Sequence, residues 1–242
     1  GTSINNAGLY LGIDNLTVAG TITGATDLSS ADSLGATVNI SGTTGDISTG
    51  SEVDTFIISG NTGNLVSAEK DDTFTVSGSG TIATVDGGDN NDTLTINTFT
   101  GTLGAVSNIE TISVTDSVFS ANFSGANKLT LSGATTAVAG TINMTTSSDT
   151  LTLVNGAGAT GIVDFLAGTD ILVFDGSFDS SNIGSALIYR NLENVHGTSA
   201  AETWTVNAND ANLNQINLLG GSDTLIINNG TSIYGSDFGG NK

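Results

Sequence analysis

The stretch Asp72-Thr-Phe-Thr-Val-Ser contains the pattern that decides the fold of this 242-residue chain. An acidic residue is followed by threonine, and then apolar residues alternate with small polar ones. Alternation with a period of two places the apolar side chains on one face of a β-strand and the threonines on the other. The same phrase recurs along the chain, as Asp54-Thr-Phe-Ile-Ile-Ser, Asp92-Thr-Leu-Thr-Ile-Asn, Glu110-Thr-Ile-Ser-Val-Thr, Asp149-Thr-Leu-Thr-Leu-Val, Asp170-Ile-Leu-Val-Phe-Asp, Glu202-Thr-Trp-Thr-Val-Asn and Asp223-Thr-Leu-Ile-Ile-Asn.

The spacing of these phrases predicts stacked coils. Together with weaker copies that begin at Leu16, Ala36, Asn127 and Asn191, they follow one another every 17–22 residues, apart from one 11-residue step before residue 203. This period is too short for a βαβ unit, which needs about 30 residues. Short strands cannot bury an apolar face alone, but stacked coils pair them about 4.8 Å apart over a continuous core. We therefore predict an all-β fold, a β-solenoid (parallel β-helix or β-roll) of ten to twelve coils, with about 18–22 residues per coil.

The domain organisation follows from the same repeat. We expect residues 1–242 to form a single elongated β-solenoid, with a weak subdomain change near residues 190–200, where the 11-residue step falls. We interpret the chain as a fragment of a longer surface protein. The absence of proline fits an uninterrupted ladder, because proline lacks the backbone N–H that a central strand donates. Five aromatic side chains fall on inward positions, namely those of Phe56, Phe74, Phe165, Phe174 and Trp204.

Composition excludes several classes of function. The chain has 24 acidic residues against four lysines and arginines, for a net charge of −20. Nucleic-acid binding needs basic side chains to neutralise phosphates, and an anionic membrane surface would repel this chain. No apolar run approaches the roughly 18 residues of a membrane span, so direct membrane insertion is not expected. Because there is no cysteine and His196 is the single histidine, we do not expect an enzyme.

Two segments resemble a known family of calcium-dependent repeat proteins. Residues 87–95 read Gly-Gly-Asp-Asn-Asn-Asp-Thr-Leu-Thr, which fits the nonapeptide G-G-x-G-x-D-x-U-x except at Asn90. A shortened version follows at Leu219-Gly-Gly-Ser-Asp-Thr-Leu-Ile, and the stretch from Asn191 to Val206 is similar to a phrase that precedes such repeats. These segments resemble the RTX family, and Asn108-Ile-Glu-Thr-Ile is similar to RTX-type bacterial surface-layer proteins. The match is best at residues 86–96 and 191–227.

The resemblance implies a calcium site. In that family, turn aspartates and backbone carbonyls hold Ca²⁺ between adjacent coils, and Ca²⁺ takes about six to eight oxygen ligands. The best-matched ligand positions are Asp89 and Asp92, followed by Asp223, and we also expect Asp86 and Asp72 to contribute. The alternative interpretation is that these aspartates cap turns and strands through local hydrogen bonds.

Threonines form a second candidate site. The pairs Thr73/Thr75, Thr93/Thr95 and Thr150/Thr152 would stack into two outward ranks, which are interrupted at Ile57, Lys128, Ile171 and Ile226. A flat threonine array is similar to the binding face of β-solenoid ice-binding proteins. The alternative is that threonine simply suits a solvent-facing strand position.

These observations predict a secreted or cell-surface structural or adhesive segment of a bacterial S-layer or RTX-adhesin-like protein, stabilised by Ca²⁺. The expected partners are further copies of the chain, neighbouring domains of the same protein or a cell-surface glycan. The alternatives are an autotransporter passenger-type adhesin, an ice-binding module, and a calcium-dependent polysaccharide-binding or lyase domain in which Arg190 near Glu193 would be the basic catalyst. An extracellular location fits a cysteine-free, acidic chain.

Overall fold

The structure, a computed structural model, is all-β, with parallel sheets stacked as a β-solenoid of about nine turns. The predicted fold class is thus confirmed, with fewer turns than the ten to twelve expected. The structure describes residues 3–5, 9–10, 14–29, 34–133, 135–154, 157–176, 178–179, 188–206, 213–227 and 237–240. Within these ranges no helix is long and apolar enough to cross a membrane.

The chain divides into two compact units, Gly1–Ile112 with Val118–Ser124 (unit 1) and Ser113–Ser117 with Gly125–Lys242 (unit 2). The strands that lie mostly in unit 1 are β1 (Ser3–Asn5), β2 (Leu9–Tyr10), β3 (Asn15–Val18), β4 (Thr21–Thr23), β5 (Thr26–Asp27), β6 (Thr37–Ile40), β7 (Thr43–Thr44), β8 (Ile47–Ser48), β9 (Thr55–Ile58), β10 (Thr62–Val66), β11 (Thr73–Gly78), β12 (Thr81–Asp86), β13 (Thr93–Phe99), β14 (Thr102–Ser107), β16 (Val118–Ser120) and β17 (Asn122–Ala126). Those that lie mostly in unit 2 are β15 (Thr111–Thr115), β18 (Lys128–Ser132), β19 (Ala137–Met144), β20 (Thr150–Val154), β21 (Gly158–Asp164), β22 (Ile171–Asp175), β23 (Phe178–Asp179), β24 (Ile188–Arg190), β25 (Asn194–His196), β26 (Glu202–Val206), β27 (Gln215–Leu219), β28 (Thr224–Ile227) and β29 (Asp237–Gly240).

In unit 1, equivalent residues of successive coils lie side by side. Strands β3, β6, β9, β11 and β13 form one parallel sheet, and β5, β8, β10, β12 and β14 form another. Val38, Phe56, Phe74 and Leu94 are register partners in the first sheet and are completely buried. The rings of Phe56 and Phe74 stack with their centroids 4.5 Å apart. The core is therefore a set of apolar ranks, as the period-two alternation predicted.

The described strands of unit 2 lie in three parallel sheets. The longest contains β18, β20, β22, β25, β27 and β29, the second contains β19, β21 and β24, and the third contains β23, β26 and β28. Leu151, Leu172 and Val195 are register partners in the longest sheet and are completely buried. Phe165 and Phe174 are also buried as predicted, whereas the side chain of Trp204 lies outside the described part of the structure.

The phrases that begin at Glu202 and Asp223 do not continue the stack that contains Asp149 and Asp170. They form β26 and β28 in the third sheet, while the longest sheet continues through β25 and β27. The 11-residue step therefore connects two strands that lie in different sheets, β25 in the longest sheet and β26 in the third. Counting every phrase as a new coil was therefore wrong. Strands of one coil that lie in different sheets share the same alternating pattern.

Candidate functional site

The acidic residues that precede the strands of unit 1 form a ladder of carboxyl groups. The backbone N–H of Ala36 donates to Oδ1 of Asp54 (2.6 Å), and that of Asp54 donates to Oδ1 of Asp72 (2.6 Å). The next two steps repeat the contact, from Asp72 to Oδ1 of Asp92 (2.7 Å) and from Asp92 to Oε2 of Glu110 (2.8 Å). Each carboxyl therefore satisfies a backbone donor of the preceding coil, 18–20 residues earlier in the chain.

The aspartates of this ladder are almost fully buried. Asp54, Asp72 and Asp92 are each 1% exposed, and Oδ2 of each has no hydrogen-bond partner. Burial, together with the neighbouring carboxylates of Asp72, Glu110 and Asp71, raises the pKa of Asp92 to about 7. Burial likewise raises the pKa of Asp72 to about 6 and the pKa of Asp54 above its ordinary value. The ladder is thus a stack of acids that resist ionisation.

A shorter ladder lies in unit 2. The N–H of Asp149 donates to Oδ1 of Asp170 (2.8 Å), and the N–H of Asp170 donates to Oε2 of Glu193 (3.0 Å). The carboxyl of Asp149 instead accepts the backbone N–H and the hydroxyl of Thr145, at 2.9 and 2.6 Å, within its own turn. Burial raises the pKa of both Asp149 and Asp170. The ladder of unit 2 therefore begins where an aspartate finds a local partner.

Each ladder ends in a corner of the same construction. In corner 1, which comprises Asp86, Asp92, Asn108 and Glu110, Oδ1 of Asp86 accepts the side-chain amide of Asn108 at 2.8 Å. In corner 2, which comprises Asp164, Asp170, Asn191 and Glu193, Oδ1 of Asp164 accepts the side-chain amide of Asn191 at 2.8 Å. Both asparagines have left-handed backbone angles, with φ of +52° and +56°, which asparagine tolerates better than most residues.

Corner 1 contains two of the five predicted calcium ligands. Asp86 bonds to Asn108, while Asp92 and a third predicted ligand, Asp72, have buried carboxyls that accept backbone N–H groups. Asp89 is exposed beside the corner, and Asp223 is exposed before β28, on another sheet. Among the described residues, no three Asp, Glu, His or Cys side chains are grouped so that they could hold a metal ion. The predicted ligands thus do not converge on one site.

Sequence reasoning missed the corners themselves. It did not single out Asp164 or Asp170 as functional, and it considered Glu193 only as a neighbour of Arg190. The available signal was the pair of phrases Asn108-Ile-Glu110 and Asn191-Leu-Glu193, each preceded by two aspartates six residues apart. Arg190 is exposed, and the carboxyl of Glu193 accepts the N–H of Asp170.

Exposed carboxylates form an acidic edge next to the unit 1 ladder, made of Glu69, Asp71 and Asp89. Two stacked turns hold this edge in place. The N–H of Asn91 donates to Oδ1 of Asp71 (3.1 Å), and the N–H of Asp89 donates to the carbonyl of Ala68 (2.9 Å). The acidic edge therefore presents carboxylates on neighbouring coils to solvent.

The threonine ranks differ between the units. In unit 1, Thr37, Thr55, Thr73 and Thr93 are consecutive register partners, and Thr75 pairs with Thr95 beside them. In unit 2, Thr150 lies between Lys128 and Ile171, and Thr152 lies between Thr130 and Val173. The predicted interruption at Ile57 is also present, next to Thr75. The structure thus brings four of the six predicted threonines together, all in unit 1.

Comparison of the chain with protein-family models, curated proteins and solved structures gives no match. Functional assignment therefore rests on the ladders, the corners, the acidic edge and the threonine ranks. These features lie on parallel coils whose registers are fixed by backbone pairing.

Proposed function

We propose that this chain is a structural segment of a secreted or cell-surface bacterial protein, of the S-layer or RTX-adhesin type. The observation that carries the proposal is the way in which successive coils are joined. Each strand pairs in register with its equivalent in the next coil, and the acidic ladders add a second set of hydrogen bonds between coils. Such a stack resists local opening, because separating two coils breaks both sets at once.

The proposed role of calcium is to stabilise this scaffold outside the cell. A chain of net charge −20 repels itself, and bound cations relieve that repulsion. The acidic edge is the region best suited to Ca²⁺, since Glu69, Asp71 and Asp89 are exposed on adjacent turns beside backbone carbonyls. Because the residues that the structure describes contain no closed cluster of ligands for tight binding, we expect an affinity in the roughly millimolar range of extracellular calcium modules. Calcium binding would then favour folding after export.

Thermal unfolding with and without calcium tests this role. The wild-type chain is melted in EDTA, in several millimolar CaCl₂ and in NaCl of equal ionic strength, which separates specific binding from screening. We expect a higher Tm in CaCl₂ than in NaCl. The triple variant Glu69→Gln, Asp71→Asn, Asp89→Asn should lose that difference, while its amide oxygens can still accept hydrogen bonds. An equal Tm in all three buffers would rule out calcium stabilisation.

The proposed partners are further copies of the chain, neighbouring domains of the same surface protein, or a cell-surface glycan. Sedimentation of the purified chain with and without CaCl₂ measures self-association, and binding to an array of bacterial polysaccharides measures glycan recognition. Sedimentation as a monomer in all conditions, together with no glycan bound, would leave a spacer without an adhesive role.

Ice binding is a second candidate function, favoured by the rank of Thr37, Thr55, Thr73 and Thr93 with Thr75 and Thr95 beside it. Thermal hysteresis of the wild-type chain tests it directly. If the unit 1 rank binds ice, Thr75→Lys should abolish hysteresis. The matched control Thr152→Lys, in the mixed rank of unit 2, should retain it. A wild-type chain without hysteresis removes this candidate.

A further inference from the structure

Corner 2 places the carboxyl group of Glu193 against the backbone of a fully buried aspartate, Asp170. Asp170 is 0% exposed, its Oδ1 accepts the N–H of Asp149, and its own N–H donates to Oε2 of Glu193. Oδ2 of Asp170 is buried without a hydrogen-bond partner. An ionised carboxylate with an unsatisfied buried oxygen beside a second carboxylate is unfavourable, because it loses hydration and meets a like charge.

The charges around this pair do not offset that cost. The titratable side chains on β22 and on the strands paired with it, or just before them, are Asp175 at the end of β22, Asp149 before β20, Glu193 before β25 and His196 within β25. On the second sheet, Asp164 and Arg190 lie at the ends of β21 and β24. Asp164 and Arg190 are register partners of each other, and His196 is the partner of Val173. After burial, the charge that raises the pKa of Asp170 is that of Glu193. Binding of a proton is therefore the simplest way to relieve the pair.

We propose that Asp170 and Glu193 share one proton in the folded chain, so that unit 2 is more stable in mild acid than in mild alkali. The proton resides on Oδ2 of Asp170, the oxygen that has no other partner. The proposal requires neither calcium nor a surface function.

Proton linkage determines whether stability rises or falls with pH. Burial and the charge of Glu193 raise the pKa of Asp170 from its ordinary value of 3.8 to about 6. Between these two values the folded chain binds more protons than the unfolded chain, so the free energy of unfolding decreases as the pH rises. Stability is highest below pH 3.8, falls through the window up to about pH 6, and is then constant as far as this pair is concerned.

Thermal unfolding at several pH values in EDTA tests the proposal without interference from calcium. Circular dichroism follows the unfolding, and the share of the pair is the difference between wild type and the variants below. We expect this pair to contribute a fall of about 4 °C in the wild-type Tm between about pH 4 and about pH 7, the size expected from a loss of roughly 1–2 kcal/mol in a chain of this length.

Two amide variants remove the titration while keeping the hydrogen bonds. In Asp170→Asn, Oδ1 can still accept the N–H of Asp149, and in Glu193→Gln, Oε1 can still accept the N–H of Asp170. Both should make the pH dependence shallower than that of wild type, and Asp170→Asn should melt above wild type at neutral pH. The controls are Asp164→Asn, a half-exposed carboxyl of the same corner, and His196→Gln, and both should keep the wild-type slope.

A flat wild-type profile, or a Tm difference between wild type and both amide variants that does not change with pH, overturns the proposal. Infrared absorption of protonated carboxyl groups gives a readout that does not depend on whether the variants fold. The wild-type chain should show this absorption above about pH 5, where ordinary carboxyls are ionised. Its absence there overturns the proposal as well.

Discussion

Corners 1 and 2 have the same four residue types and the same two hydrogen bonds, but the ladders behind them differ in length. Behind Asp92 in corner 1 lie Asp72 and Asp54, each buried and each bonded to its neighbour. Behind Asp170 in corner 2 lies Asp149, whose carboxyl bonds to Thr145 in its own turn. The pKa of Asp92 rises to about 7 and that of Asp170 to about 6. The pKa of the last aspartate in a ladder is thus higher where more buried carboxyls are stacked behind it, and the stack stops at an aspartate that bonds within its own turn.

The largest expected effect comes from adding a methyl group at either corner. A Cβ on Gly87 would lie 2.0 Å from the carbonyl oxygen of Asn108, and one on Gly168 would lie 2.0 Å from that of Ser147. Because both obstacles are backbone atoms of an adjacent coil, Gly87→Ala and Gly168→Ala should each cost about 3 kcal/mol or prevent folding. Chemical denaturation measures the loss. Gly220→Ala is the control, since nothing lies within 4 Å of its Cβ, and an equal loss there would contradict the explanation.

The second largest effect is the pH dependence of stability, which should differ between the two ladders. Since the pKa values of Asp72 and Asp92 are raised, the free energy of unfolding should fall as the pH rises from 3.8 towards about 7. Asp92→Asn should therefore raise the Tm at about pH 8 by roughly 6 °C, against roughly 4 °C for Asp170→Asn. Below about pH 3 both gains should vanish, because the carboxyls are then protonated in the folded and unfolded chain alike. Circular dichroism melts measure both, and a larger gain for Asp170→Asn would reverse the comparison.

The third effect concerns Asn108 and Asn191, and it tests whether both stabilise the fold by the same amount. Asn108→Ala and Asn191→Ala remove the amide that bonds to Asp86 or Asp164 and also strain a left-handed backbone. Each should cost about 2 kcal/mol. Asn108→Gly and Asn191→Gly relieve the backbone but not the lost hydrogen bond, so they should cost about 1 kcal/mol. Chemical denaturation of the four variants measures these costs, and unequal costs in the two units would show that the corners are not equivalent.

The smallest effect concerns the local partner of Asp149. Thr145→Val removes the hydroxyl that donates to Oδ1 of Asp149 and accepts the N–H of Ser147, but it keeps the shape of the side chain and the backbone N–H. The loss should be about 1 kcal/mol and should grow as the pH rises, because the bond favours the ionised carboxyl. The melting temperature at acid and neutral pH measures this, and a pH-independent loss would contradict the assigned role.

Much of the fold followed from the phrase at Asp72 and its copies. Alternation identified the buried ranks of Phe56, Phe74 and Leu94, and the spacing predicted parallel coils. The sheet to which a strand belongs was not predictable in the same way. Glu202 and Asp223 begin phrases like any other, yet they lie on the third sheet, because a strand's local pattern does not record which strand it pairs with.

The candidate sites were predictable only in part. The sequence indicated acidic turns and threonine ranks, and the registers of Thr73, Thr75, Thr93 and Thr95 followed from it. It did not indicate that Asp72 and Asp92 turn their carboxyls to backbone donors of the preceding coil. The residue before a strand lies outside the alternating pattern. The direction of its side chain therefore depends on the hydrogen-bond donors of the neighbouring coil.

By itself, then, the sequence determined the repeat, the apolar core and the excess of acid, because these depend on residue type and local spacing. The tertiary structure decided which carboxyls are buried, which of them face each other, and where a ladder stops. These properties depend on hydrogen bonds between residues 18–23 positions apart, and such contacts exist only once the coils are stacked.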